Sequence, residues 1–161
     1  MPFLREQLQV PVSIDVASQH FWDMNLLRRF WKSINSVEER YDDGANQECL
    51  MSVHRDGKEE RIRIIRFRNH HDIVFFNPKQ PPMMTYHRGA WRFRPLPNGG
   101  CQVIAERDYE MIQLSNESEE AFLQRTACFQ AKFVERICSL LVAFHDYICE
   151  ADERSLRHEI N

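Results

Sequence analysis

The last third of the chain sets the strongest constraint on the fold. Phe122, Thr126, Phe129, Phe133, Ile137, Leu140, Phe144 and Ile148 recur every three or four residues. That spacing is one apolar stripe along a helix. Residues 119–150 would run about 45–50 Å at ~1.5 Å per residue. Asn116 or Ser118 caps the start, with Glu119 and Glu120 in the first turn. From Ala151 the sequence turns polar, and residues 151–161 read as a tail that frays. A stripe of this length needs an equally long apolar surface to cover it.

That surface has to come from upstream, where the period is two. Leu8, Val10, Val12 and Ile14 alternate strictly, which predicts a strand through that stretch. Asp15 or Ser18 caps a short helix carrying Phe21, Trp22, Met24, Leu26 and Leu27, and Phe30, Trp31 and Ile34 form a second helical piece. Strands are predicted over 37–41, 47–54, 60–68, 73–76, 84–93 and 101–111. Asp42-Asp43-Gly44, the hairpin Arg55-Asp56-Gly57-Lys58, Asn69-His70-His71-Asp72 and the loop ending Asn98-Gly99-Gly100 separate them. Asn77-Pro78-Lys79-Gln80-Pro81-Pro82 is excluded from any central strand. The result is an α+β fold: a curved antiparallel sheet of about six to seven strands wrapped around one long C-terminal helix, with two short helices after the first strand. Residues 1–150 read as one domain.

Composition narrows the function classes. Lys and Arg number 21 against 24 Asp and Glu, a net charge of −3, which gives no footprint for nucleic acid. The longest apolar run, Leu140 to Phe144, is far short of the ~20 residues that span a bilayer. Five cysteines, with no CxxC pair, match neither a disulfide framework nor a zinc ribbon. Reduced thiols in a cytoplasm are the plain reading. His70-His71-Asp72 looks like a metal cluster, but adjacent histidines in a turn point apart, and no metal site is expected.

The order of elements resembles the helix-grip fold of the START-like superfamily. Val16-Ala17-Ser18-Gln19-His20-Phe21-Trp22 is similar to that superfamily's entry into its first helix. Met84-Thr85-Tyr86-His87-Arg88-Gly89-Ala90-Trp91-Arg92-Phe93, followed by Gly99-Gly100 and the strand 101–111, resembles the paired strands of the polyketide aromatase/cyclases. Phe133-Val134-Glu135-Arg136-Ile137 is similar to a segment of their long helix. The resemblance covers most of residues 8–150. It implies an elongated internal cavity, no cofactor, and a poly-β-ketone substrate, free or on an acyl carrier protein, closed into an aromatic ring by aldol cyclisation and dehydration. It also aligns a functional cavity arginine with Arg66, a cavity tryptophan with Trp91 and a polar cavity position with Arg107. The chain departs from the family where a functional tyrosine is replaced by Ile34, and where polar positions on the long helix are Phe129 and Phe133.

The residues that could carry such chemistry stand on alternating strand positions. Ile62, Ile64, Arg66 and Arg68 share one face. There Arg66 would hold carbonyl oxygens and stabilise an enolate, since a guanidinium cannot act as a base. The competing reading is a rim arginine paired with a carboxylate. His87 shares a face with Thr85, Gly89, Trp91 and Phe93, and Gly89 would leave volume beside it. An imidazole there would move protons during enolisation, or else be a core histidine bonded to backbone. Arg107 and Tyr109 lie in the apolar row Cys101, Val103, Ala105 and Met111. A cation in that row needs a ligand, a partner, or a path to water at a cavity mouth. Phe30, Trp31, Ile34, Met84, Trp91, Phe129 and Phe133 are walls of a substrate site or ordinary core. The leading expectation is an aromatase/cyclase with Arg66 and His87 catalytic, monomeric or homodimeric, with neither nucleic acid nor membrane as partner. The rivals are a carrier or sensor of an apolar small molecule and an interaction domain with a filled interior.

Overall fold

The computed structural model describes residues 3–159. Its elements run β1 (Phe3–Val10), α1 (Ile14–Trp22), α2 (Met24–Phe30), β2 (Ile34–Asp42), β3 (Asn46–Arg55), β4 (Lys58–Asn69), β5 (Asp72–Phe76), β6 (Met84–Pro95), β7 (Cys101–Met111) and α3 (Glu119–Glu159). One seven-stranded sheet has the order β1-β7-β6-β5-β4-β3-β2, and its neighbours all pair antiparallel. The helix α3 packs on β1, β7 and α2. This is the α+β, helix-grip arrangement that the two periods predict.

Three local boundaries differ from the sequence reading, each for a physical reason. The first strand stops at Val10, because Pro11 has no N–H to give the ladder. Val12 and Ile14 continue the alternation only in a connecting turn, yet still pack against the core. Ser13, rather than Asp15 or Ser18, caps α1 by accepting from the Val16 N–H at 3.3 Å. Ser18 is buried and its hydroxyl donates to His71 O at 2.7 Å. Ile34 opens β2 rather than ending a helix, because the Ser33 carbonyl already accepts from His54 N–H at 2.8 Å and draws the chain into the sheet.

At the far end, Ser118 caps α3 through the Ala121 N–H at 3.1 Å. The helix then continues through residue 159, beyond the expected end at 150. Its polar last turns need no core, since backbone hydrogen bonds and good helix formers carry them. Residues 160–161 of the expected tail lie outside the described residues.

The core is aromatic and sits under α1 and α2. Phe21 is fully buried, with ring centroids 4.7 Å from Trp91, 4.9 Å from Phe144 and 5.3 Å from Phe30. Arg66 holds this layer to the sheet. It is 3% exposed, and its guanidinium donates to Phe21 O at 2.5 Å, Trp22 O at 2.8 Å and Met24 Sδ at 3.1 Å. The two oxygens belong to the last turn of α1, where carbonyls lack helical partners and the dipole is negative. Burial lowers the Arg66 pKa to about 10, so it stays charged at neutral pH.

Two predictions follow from this packing. Arg66→Met should lower stability by about 1–3 kcal/mol, since it strands the Phe21 carbonyl next to the buried core while Trp22 O keeps the Gln47 Nε2 donor at 3.1 Å, and a urea midpoint reads the loss. Gly89→Ala should also destabilise, by about 1–3 kcal/mol. A Cβ at position 89 would overlap the Phe75 ring, which lies across the glycine. An unchanged midpoint in either variant would contradict the packing described.

Candidate functional site

Sheet register builds the site. One row of inward positions crosses six strands: Gln47, Arg66, Phe75, Gly89, Arg107 and Leu4. Arg66 and Arg107 are therefore three strands apart, roughly 14 Å at ~4.8 Å per strand. Gly89 stands between Phe75 and Arg107. With no side chain there, Phe75 extends its ring across the glycine towards β7. The volume expected beside Gly89 is thus filled by Phe75.

Arg107 receives that ring. Its Cζ lies 4.8 Å from the Phe75 centroid and 4.6 Å from that of Trp91. Such cation–π contacts each contribute about 0.5–2 kcal/mol. Arg107 is 6% exposed, so little of the side chain meets solvent. Its Nη1 donates to Glu106 O at 2.7 Å and Ala90 O at 3.3 Å. A guanidinium has five N–H donors, and those on Nε and Nη2 make no protein hydrogen bond among the described residues. No carboxylate forms an ion pair with it there either. Burial alone lowers its pKa to about 9, and it remains a cation at neutral pH.

Beside Arg107 stand a histidine and a phenol, paired across β6 and β7 as His87 and Tyr109. Tyr109 is fully buried and its hydroxyl has no protein partner among the described residues. Burial raises its pKa, so it is a phenol and a potential donor at neutral pH. Its ring meets Phe129 and Phe133 edge-on, each at 5.6 Å. His87 is half-buried, 5.9 Å from the Phe133 ring and 6.2 Å from the Phe75 ring. Its Nδ1 lies 3.0 Å from Asn77 Oδ1. Burial first, then the charges of Arg107 and Arg55, bring its pKa down to about 4. It is a neutral base at physiological pH. A counterion-free cation, a neutral imidazole and an unpartnered phenol thus share one apolar face. Such a set can hold an anionic or carbonyl oxygen and take a proton from carbon.

The structure separates the sequence candidates into groups. His87, Trp91, Arg107, Tyr109, Phe129 and Phe133 come together. Phe30, Trp31, Ile34 and Arg66 lie with the α1–α2 layer, where Phe30 packs on Phe21 and Phe144. Trp91 touches both groups through Phe21 and Arg107. Met84 starts β6, paired with Met111 at the far end. Sequence reading missed Phe75 and Asn77. The inward alternation Ile73, Phe75, Asn77 would have flagged both, had the strand pattern been carried past Phe76 into the proline loop.

The elongated cavity that the resemblance implies would lie here, between α3 and the inner face of the sheet. The rings of Phe75, Trp91, Tyr109, Phe129 and Phe133 line that space. Two depressions lie elsewhere: one of about 480 Å³ on α3, lined by Glu135, Cys138, Ser139, Val142, Ala143 and Asp146, and one of about 170 Å³ on the outer sheet face beside Val74, Arg88 and Asp108. The half-buried Phe129–Phe133 pair covers Tyr109 and His87 from the α3 side. The cluster resembling a metal site is engaged otherwise: His71 pairs with Asp15 at 2.6 Å, and Asp72 with Arg94 at 2.9 Å. Among the described residues, no helix is long and apolar enough to cross a membrane.

No family model and no curated protein matches the chain. Solved structures do. The di-domain ARO/CYC StfQ from the steffimycin biosynthetic pathway is 16% identical, with a TM-score of 0.79 over 94% of this chain. The chain spans 52% of that protein's length. The Zhui aromatase/cyclase from Streptomyces sp. R1128 is 15% identical, with a TM-score of 0.70 over 87% of this chain and 91% of its own. A START superfamily protein from Mycobacterium smegmatis is 14% identical, with a TM-score of 0.73 over 92% of this chain and 98% of its own. Likenesses at this level of identity show the fold, and the chain has the START-like helix-grip fold.

Proposed function

We propose that the chain is a polyketide aromatase/cyclase-like enzyme that closes a poly-β-ketone, free or carried on an acyl carrier protein, into an aromatic ring. The observation that carries this reading is Arg107, a buried cation with unengaged donors and no counterion, beside a neutral His87. A methylene between two carbonyls is acidic enough for an imidazole to deprotonate. His87 takes that proton, and Arg107 holds the enolate oxygen. The enolate carbon attacks a second carbonyl, forming the C–C bond, and the new alkoxide takes the proton back from the imidazolium. His87 then takes a second proton from the ring carbon and hands it to the hydroxyl, which leaves as water as the C=C bond forms. Tyr109 donates to a carbonyl oxygen, and Trp91, Phe129 and Phe133 set the shape of the chain. Positioning supplies much of the effect, because cyclisation without a template is easy but unselective. Arg66 contributes through the wall it holds, since its Nη1 and Nη2 groups are already engaged.

The second reading is a non-catalytic carrier of an apolar or aromatic molecule. The apolar ring lining around His87 and Tyr109 and the Ile34 position favour it. A minimal polyketide synthase, run with and without the protein, separates the two. The enzyme reading expects one defined ring product with wild type. It expects a ~10²–10⁴-fold loss with His87→Gln and ~10²–10³-fold with Arg107→Met. Arg66→Ala should lose product only in proportion to folded protein. Identical product profiles with and without the protein would leave the carrier.

The pH dependence gives a separate check. Ordinary imidazoles titrate near 6.5, and His87 near 4. Above about pH 5 the base is neutral, so activity should not fall between pH 7 and 5 on its account; it should fall as pH drops through about 4. The folded pKa is the lower one, so the unfolded state binds more protons between those values. Stability should decline as pH falls from about 6.5 towards 4. An NMR titration of His87 placing its midpoint at 6 or above would contradict the buried, neutral base.

A further inference from the structure

We propose that Asn77 is a positioning residue: it locks His87 with its proton on Nδ1 and leaves the Nε2 lone pair as the one available for chemistry. The catalytic half of this inference rests on His87 being the base proposed above. The hydrogen-bond half stands on the structure alone.

Asn77 is 6% exposed in a segment whose next three residues are exposed. It is the third inward position after Ile73 and Phe75, and Pro78 keeps its backbone extended. Its Nδ2 donates to the Arg63 carbonyl on β4 at 3.0 Å. That carbonyl can only accept, so the amide cannot be turned round without losing the bond. Oδ1 is therefore the atom facing His87 Nδ1 at 3.0 Å. An oxygen acceptor needs a proton on the nitrogen, and the neutral ring has one to give. Nδ1 carries it, and Nε2 keeps the lone pair.

The consequence is directional. A free imidazole in water favours the other tautomer, with the proton on Nε2. In that form the basic nitrogen of His87 would face the Asn77 loop. With Asn77 in place it is Nε2, which has no protein partner among the described residues, that is left basic. The charged groups acting on the ring are Arg107 from β7 and Arg55 from β3, and both oppose its protonation. Asn77 adds no charge, so it orders the proton without making the ring a cation. Gln80 Nε2 donates to the Asn77 carbonyl at 3.4 Å, which ties the loop to the same residue.

The test is the nitrogen-15 spectrum of His87 in the full chain at pH 7, for wild type, Asn77→Ala and Asn77→Asp, with product formation measured alongside. Wild type should show the Nδ1-protonated pattern. Asn77→Ala should shift His87 towards the Nε2-protonated form and cut ring product at least ~10-fold, while leaving substrate KM within about twofold. Asn77→Asp keeps an acceptor for Nδ1–H. It should restore the wild-type tautomer and raise the His87 pKa by ~1–3 units, carrying the acid limb of the activity profile upward with it. An Nε2-protonated wild type overturns the proposal, and that spectrum decides even where Asn77→Ala does not fold. An Asn77→Ala tautomer identical to wild type also overturns it. A shifted tautomer with unchanged product formation overturns the positioning role. If wild type forms no ring product, the enzyme reading and this role fall together, while the spectrum still decides the hydrogen-bond assignment.

Discussion

A guanidinium buried without a carboxylate is the constraint around which the inner face of the sheet is arranged. Taking a cation out of water is very unfavourable unless something replaces its hydration. The chain meets this requirement twice on one row, in two ways. Arg66 is compensated by the open end of α1, whose carbonyls and dipole are fixed by the fold. Arg107 is compensated by two aromatic faces and two carbonyls on one nitrogen. The first engages both terminal nitrogens and leaves Nε buried without a partner among the described residues. The second leaves donors that only a ligand or water can satisfy. That difference in engaged nitrogens, rather than the presence of an arginine, is what the roles proposed for the two residues rest on.

The charge at Arg107 also sets the chemistry of its neighbour. His87 is held neutral by burial and by that cation. An enolate bound to Arg107 would cancel part of the field at the imidazole. The base therefore becomes stronger as the proton transfer proceeds, because the anion it creates lies next to the cation that weakened it. A ground-state carbonyl carries little charge and would produce little of this effect. Under the proposed cyclase role, this field would favour the charged intermediate over the bound substrate, which is the condition for accelerating a step rather than only binding its reactant.

Fold and site were legible in the sequence to different depths. The stripe from Phe122 to Ile148 and the run of alternating segments were enough for the helix-grip arrangement, since both patterns report burial directly. Boundaries failed where a local rule cut across the pattern: Pro11 ended a strand that alternation would have continued, and Ser33 entered the ladder before Ile34. His87, Arg107 and Tyr109 were legible as residues of one face, because strand parity fixes that. What they touch was not. Parity cannot say that a ring from β5 fills the gap at Gly89, nor that the arginine on β4 faces a helix end three strands from the one on β7. Asn77 was hidden by its own proline, which marks a loop so strongly that the inward parity of the residue before it went unused.

Burial along α3 is uneven, and this gradient connects fold to function. Ile137, Leu140, Leu141, Phe144 and Ile148 are buried, whereas Phe122, Phe129 and Phe133 in the first half are only partly so. The second half is locked into the aromatic layer around Phe21 and Phe30. The first half covers Tyr109 and His87 with two phenylalanines that touch each other at 5.4 Å. Partly buried side chains lose less on moving than buried ones, so local opening is cheapest in the first half. A ligand that supplies apolar surface and an oxygen for Arg107 replaces what the displaced rings provided and adds an interaction they cannot make. An apolar ligand without that oxygen would leave the Nε and Nη2 donors of Arg107 as they are, so this pair of nitrogens would favour an oxygenated ligand over a purely apolar one.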